Sequence, residues 1–313
     1  MVNVDTFPLL KLPYLPLANV IQQFDSIHER IHLATLSRRT AILVKSLRDI
    51  KVLGFKLTVW KHLNFSVIYL DHGGIRHQEW IYEQDPNILL FPFSVDYNHL
   101  QKLIDTMTFI FGLSGFEELI FDWHDDGTLK MFCLQNLLPN LETIKFDRNY
   151  SSKFYEQVLA AFPSIKNVSM RATPNNQFVK KKLEVLELDS QCLNVLGLVN
   201  CESLQIKPDF LTSTKINQYL KSWIHGRMPR LKHIRIQYAF PLRQDLILKG
   251  IENAEADRNR KMTFKSYSLN LGNPKTTVVQ GGVDIKSENG VRATVTIQNE
   301  GNAFQSWNMN VWD

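Results

Sequence analysis

The chain has 313 residues, 44% apolar and 21% charged, with a formal net charge of +5. That length allows two or three domains or one elongated one, and the composition supports a substantial core and excludes wholesale disorder. The basic runs (Arg38-Arg39, Lys180 to Lys182, Arg258 to Lys261) are short and do not interleave with aromatics, so solvated faces are expected and nucleic-acid binding is not.

Three cysteines, Cys133, Cys192 and Cys201, form no disulfide framework and no C-x-x-C pair, which suits a reducing compartment. The opening residues lack a basic n-region, and Pro8, Pro13 and Pro16 interrupt the helix that a signal peptide needs. No uninterrupted apolar stretch is long enough for a transmembrane helix. The expectation is a soluble cytoplasmic or nuclear protein with no membrane partner.

In chain order, the first predicted element is a short helix. Leu17, Val20, Ile21 and Phe24 recur at i, i+3, i+4 and i+7, and Pro16 suits its first turn. Ser26-Ile27-His28-Glu29 reads S-x-x-E, a capping box in which Ser26 accepts from the Glu29 N–H and Glu29 reaches back to the Ser26 N–H. The second helix then carries Ile27, Ile31 and Ala34 on one face, with Leu33 and Leu36 at its border. A third runs through Ala41 to Val44, with Lys45 and Arg48 near its C-terminal end.

Within the second helix, residues 28 to 32 spell HERIH, a match to the zinc-peptidase signature H-E-x-x-H. On a helix, His28 and His32 share a face, and Glu29 is placed as general base. Against this, Glu29 already serves the capping box. None of the other seven histidines stands at a third-ligand spacing. No metal or other cofactor is expected.

The same segment resembles an F-box, the helical module of about forty residues that docks on the Skp-type adaptor of SCF ubiquitin ligases. Leu12-Pro13 matches its opening doublet. Leu17, Val20, Ile21 and Phe24 match its first helix, and Ile31, Leu33 and Leu36 its second. Ser37 and Arg38-Arg39 match the small and basic residues that follow, and Thr40 stands where many F-boxes carry Trp. The opening FPLLKLPYLPL is closest to the nematode branch. The resemblance implies adaptor-binding residues Leu12, Pro13, Leu17, Val20, Ile21, Phe24, Leu33 and Leu36. It also places HERIH in a docking module that cannot enclose a catalytic cleft.

Residues 50 to 83 are β-rich: VLGFKLTVW, FSVIYL and HQEWIY, with Asp71 to Gly74 as a turn. His72 and His77 flank that turn as surface histidines. From 116 a pattern of apolar, two variable, apolar, one variable, apolar recurs. Its copies are Phe116/Leu119/Phe121, Leu141/Ile144/Phe146, Ile165/Val168/Met170, Leu183/Leu186/Leu188, Cys201/Leu204/Ile206 and Leu231/Ile234/Ile236. They start 25, 24, 18, 18 and 30 residues apart, near the leucine-rich-repeat period of about 20–29. Each copy predicts a short strand with inward apolar residues. An irregular α/β domain is the alternative. Cys201 falls at an inward position and is expected to be a buried thiol. Asp122, His124, Asp125 and Asp126 read as an acidic loop rather than metal ligands.

From 211, a helix with Ile216, Tyr219, Leu220 and Trp223 on one face, a stop at Gly226 and a strand at Leu231 to Ile236 are predicted. Asn217, Leu220-Lys221, Trp223, Gly226, Pro229 and Leu231 resemble the type 2 F-box-associated domain, which follows the F-box in a large nematode family and is regarded as a protein-interaction region. NAEADRNRK reads as a charged helical stretch, and Asn289-Gly290 as a hairpin turn within a β-rich tail.

The expected organisation is an α+β or α/β chain. A helical F-box spans 1–50, a β-rich segment 51–115, a degenerate leucine-rich-repeat-like solenoid 116–240, and a helix with a β-hairpin 241–313. The resemblance implies a non-enzymatic substrate receptor of an SCF-type ubiquitin ligase. Its partners would be a Skp-type adaptor, through it a cullin ligase, and a protein target not named by the sequence. A non-degradative F-box interaction protein and a zinc peptidase using HERIH are the alternatives.

Overall fold

A computed structural model of the chain describes residues 13–24, 26–47, 51–59, 63–70, 76–83, 97–112, 116, 118–122, 134–136, 138–148, 150–170, 181–188, 200–207, 212–238, 242–256, 261–266, 275–299 and 305–312. These form a mixed α/β structure in two compact units, Met1–Leu141 and Glu142–Asp313. The division falls within the second copy of the repeated pattern, just after its first apolar residue, Leu141.

The first unit begins with helices α1 (Tyr14–Gln22), α2 (Ile27–Leu36) and α3 (Arg38–Ser46). Ser26 caps α2, but its side chain accepts from His28 N–H at 3.0 Å, not from Glu29. The cap is thus made one residue earlier than the expected box, at one of the two positions a serine cap can reach. Ser37 ends α2 and caps α3, accepting from Thr40 N–H at 3.1 Å. Buried Thr40 returns a bond from its hydroxyl to Ser37 O at 2.8 Å. The small residue and the threonine therefore close the elbow between the two helices.

Arg30 adds a tie that the sequence pattern does not announce. It is buried, and its Nε donates to Phe24 O at 3.0 Å while an Nη reaches Gln22 O at 3.4 Å. These carbonyls lie at the end of α1, where the last C=O groups have no intrahelical N–H donor. A cation there also offsets the negative end of the helix dipole.

Strands β1 (Lys51–Val59), β2 (Leu63–Leu70) and β3 (Arg76–Glu83) pair antiparallel, as the β-rich reading expected. His77 lies across from Tyr69 and stacks on it, with ring centroids 5.3 Å apart. His72 lies outside the described residues. The segment also holds a helix that was not expected, α4 (Tyr97–Phe111). Its buried face is Leu103, Met107 and Ile110, and it packs on α2 and α3. Strand β4 (Glu118–Phe121), the first copy of the pattern, runs parallel to β1. An ion pair between half-buried Lys56 and buried Glu118, at 2.7 Å, braces that pairing.

The second unit is built on parallel strands in chain order: β5 (Thr143–Phe146), β6 (Asn167–Met170), β7 (Leu183–Leu188), β8 (Cys201–Ile206) and β9 (His233–Tyr238). Helix α5 (Ser152–Ala161) connects β5 to β6, and α6 (Ser213–Ile224) connects β8 to β9. The pattern becomes two rows across the sheet. Ile144, Val168, Leu186, Leu204 and Ile234 are in register, as are Phe146, Met170, Leu188, Ile206 and Ile236, and all are buried. The first apolar residues of these copies, Leu141, Ile165, Leu183, Cys201 and Leu231, are buried too.

The tail continues the sheet. Strand β15 (Gln305–Val311) adds antiparallel to β9, so that Met309 faces Ile234 and Trp307 faces Ile236. Then β14 (Arg292–Asn299), β13 (Val283–Lys286) and β10 (Asn253–Glu255) follow, while β11 (Lys261–Ser266) and β12 (Lys275–Gln280) pair separately. The apolar rows thus extend beyond the repeated copies. The turn between β13 and β14 contains Gly290 at φ +85°, as Asn289-Gly290 predicted. The charged helix read in NAEADRNRK is corrected: Asn253 to Glu255 is a strand, drawn into antiparallel pairing with Ile285 to Val283. Ladder pairing with a preformed edge overrides the weak helical preference of a polar segment. The small helix before it is α7 (Gln244–Ile247).

Candidate functional site

Two regions carry the functional expectations. In the first unit, α1, α2 and α3 close around Leu17, Ile21, Leu33, Ala34, Ala41, Leu43 and Val44, and Ile110 of α4 joins that core. Among the residues expected to bind an adaptor, Leu12 lies outside the described residues. Leu17, Ile21 and Leu33 are inside the module, with Phe24 packed half-buried against them. Val20 is half-buried, and Pro13 is exposed as the N-cap of α1.

Leu36 is not brought into this group, being 64% exposed. Helix geometry explains it: nine residues after Ile27, at about 100° each, place Leu36 half a turn away from the buried stripe. It stands on the rim of a groove of about 510 Å³ formed by the α2–α3 elbow and α4. Sequence reasoning missed the α4 wall. The signal was present as Leu103, Met107 and Ile110, at i, i+4 and i+7.

His28 and His32 do share a face of α2, their rings edge to face with centroids 4.3 Å apart. Among the described residues, no group of three or more His, Cys, Asp or Glu side chains is placed to hold a metal. His124, Asp125 and Asp126 lie outside the described residues. No described helix is long and apolar enough to cross a membrane.

In the second unit, the face of the sheet opposite the apolar rows is polar. One row reads Thr143, Asn167, Val185, Ser203, His233, Asn310 and Thr294. The next reads Lys145, Ser169, Glu187, Gln205, Arg235, Asn308 and Thr296. Several side-chain bonds join residues of these rows to one another or to residues beside them. Asn167 Nδ2 donates to Thr143 Oγ1 at 3.2 Å, and Lys207 Nζ to Glu187 Oε1 at 2.7 Å. Ser203 Oγ and His233 Nδ1 are 3.2 Å apart. Burial lowers the His233 pKa to about 4, with Arg235 adding to the effect, so the imidazole is neutral. Ser203 is equally buried, and the pair is a structural bond rather than an exposed nucleophile and base. Among the described residues, four buried polar atoms on this face lack a hydrogen-bond partner: Asn167 Oδ1, Glu187 Oε2, Thr296 Oγ1 and Asn310 Nδ2. Such atoms are costly unless water or a ligand group meets them.

Helix α6 ends as Gly226 predicted. Gly226 has φ +73°, its N–H donates to Trp223 O at 2.9 Å, and Arg227 N–H donates to Ser222 O at 3.1 Å. This is a Schellman closure. Asn217 is buried and its amide donates to Ile247 O at 2.7 Å and Lys249 O at 2.9 Å, fixing α6 to α7. Glu288 of the β13–β14 turn meets α6, its N–H donating to Ile224 O at 3.0 Å and its carboxylate lying 2.6 Å from His225 Nδ1.

These residues fall within or against a region that a family model matches. A family model described as F-box associated matches residues 174–236, which contain β7, β8, α6 and most of β9. The chain therefore carries an F-box-associated region. No curated protein matches the chain.

Proposed function

We propose that the chain is a substrate receptor of an SCF-type ubiquitin ligase and not an enzyme. Its N-terminal helices would serve as an F-box that binds a Skp-type adaptor and, through it, a cullin. Its second unit would be a solenoid-like domain that captures a protein target in the cytoplasm or nucleus. The observation that carries this reading is the F-box-associated match at 174–236 in a chain whose helices α1, α2 and α3 share one core. The burial of Leu17, Ile21 and Leu33 supports a division of roles within that module. They would shape it from beneath, while among the described residues Pro13, Val20, Phe24 and Leu36 keep surface for a partner. Bringing a charged ubiquitin carrier close to a target lysine is then a matter of proximity.

The test is co-purification of the full chain with a Skp-type adaptor, beside a Val20→Glu/Leu36→Asp variant that keeps its helical circular dichroism. Binding by the wild type and loss in the variant is the expected result. No binding by either removes the reading. A non-degradative role for the same complex predicts no build-up of ubiquitinated partners under proteasome block.

A further inference from the structure

Helix α4 lies outside the forty-residue module, yet its Ile110 completes that module's core. Its exposed side is equally ordered. Lys102, Asp105, Thr106 and Phe109 stand at i, i+3, i+4 and i+7 and form one wall of the 510 Å³ groove. The α2–α3 elbow forms the other wall, with Leu36 and Arg38. Three large apolar side chains of this unit are well exposed among the described residues: Leu36 at 64%, Ile42 at 48% and Phe109 at 41%. Two of them flank this one groove.

The charges around it are mostly of one sign. Arg38 and Lys102 line the groove and are exposed. Lys45 Nζ lies 4.4 Å from the centroid of the Phe109 ring. Asp105 is the one carboxylate in the lining, and it already accepts from Gln101 Nε2 at 2.8 Å. An i to i+7 wall is about 10 Å long, or two helical turns. One exposed apolar side chain on each wall, Leu36 and Phe109, with the cations Arg38 and Lys102 beside them, complements an amphipathic helix with acidic flanks.

Resting on the adaptor reading above, we propose that α4 enlarges the docking module. The groove between α4 and the α2–α3 elbow receives an acidic amphipathic helix of the adaptor, anchored on Leu36 and Phe109 and held in register by Arg38 and Lys102. Specificity for the adaptor then depends on residues some sixty positions beyond the F-box-like segment.

Calorimetric titration of the full chain with a purified Skp-type adaptor tests this, using wild type, Phe109→Glu, Lys102→Glu and Lys102→Arg. The expected results are a loss of at least about tenfold for Phe109→Glu and about three- to tenfold for Lys102→Glu. Lys102→Glu should also flatten the salt dependence of binding, and Lys102→Arg should bind like wild type. Both residues are exposed, and the Lys102 arm decides the matter even if Phe109→Glu disturbs α4. If both Glu variants bind as wild type while Val20→Glu/Leu36→Asp does not, the α4 groove is overturned and the adaptor reading stands. If wild type fails to bind, both fall. If the Phe109 variant loses only binding to anionic phosphatidylserine vesicles, the groove faces a lipid surface and the proposal is wrong.

Discussion

Ser203 Oγ and His233 Nδ1 lie 3.2 Å apart on neighbouring strands, both closed to solvent. A histidine so placed cannot readily take a proton. Burial lowers its pKa to about 4 from an ordinary 6.5, and Arg235 acts in the same direction. Between those two values the unfolded chain binds a proton that the native chain does not. Stability therefore rises with pH through this window, is fully present above about pH 6.5, and declines as pH falls towards 4. The contribution is roughly 3 kcal/mol. His233→Asn should flatten the dependence of the urea midpoint on pH between these limits. An unchanged slope would show that His233 does not stay neutral in the native state.

Cys201 is a second buried group that the chemistry can read. Burial pushes its thiol up to about 12, against the opposing pull of Arg230. At about pH 8 only on the order of one molecule in ten thousand carries the thiolate, and that atom is closed to reagent. Iodoacetamide followed by peptide mapping should leave Cys201 unmodified in the native chain and modify it fully in guanidinium chloride. Rapid labelling without denaturant would place the thiol at a surface.

Arg30 holds the end of α1 through Phe24 O and Gln22 O. Lysine keeps the charge but lacks the planar fork that reaches two carbonyls. Arg30→Lys is expected to cost about 1–2 kcal/mol of unfolding free energy, and Arg30→Met somewhat more because the carbonyls lose their charged donor. Chemical denaturation followed by helical circular dichroism measures both. A change within a few tenths of a kcal/mol would show that the tie is incidental.

Gly282 has φ +106°, and an added Cβ would lie 2.7 Å from both Thr296 Cγ2 and Val295 O. Gly290, at φ +85°, has only Lys286 Cε at 3.9 Å. Both substitutions to Ala incur left-handed backbone strain, about 1–2 kcal/mol, but only Gly282→Ala adds a clash with backbone. The expected losses are about 1 kcal/mol at 290 and about 2–3 kcal/mol at 282. Equal losses would mean that the β13–β14 strands yield freely at Gly282.

HERIH can be tested directly. His28 and His32 face each other on α2, while Ser26 caps that helix through the His28 N–H. Metal analysis of protein purified without chelator should find zinc well below one equivalent, and His28→Ala should leave that content unchanged. Stoichiometric zinc lost in the variant would revive the peptidase alternative.

Much of the second unit's core was legible because strand periodicity is local. Leu186 and Leu188, or Ile234 and Ile236, point the same way along a strand whatever the strand pairs with. The helix stop at Gly226 and the turn at Asn289-Gly290 were legible for the same reason, since each depends on a backbone angle that one residue type favours. Leu36 shows the converse within a single helix. Its apolar character suggested the stripe, but its angular position put it on the rim.

The sequence by itself determined which residues would form short strands and capped helices, and which side chains those elements would turn inward. Only the tertiary structure decided that Asn253 to Glu255 is an edge strand, that Arg30 reaches back to α1, and that α4 walls a groove beside Leu36. Local patterns report the preferences of neighbouring residues. An edge needing a ladder partner, a carbonyl needing a donor and a groove needing two walls arise only when distant segments meet.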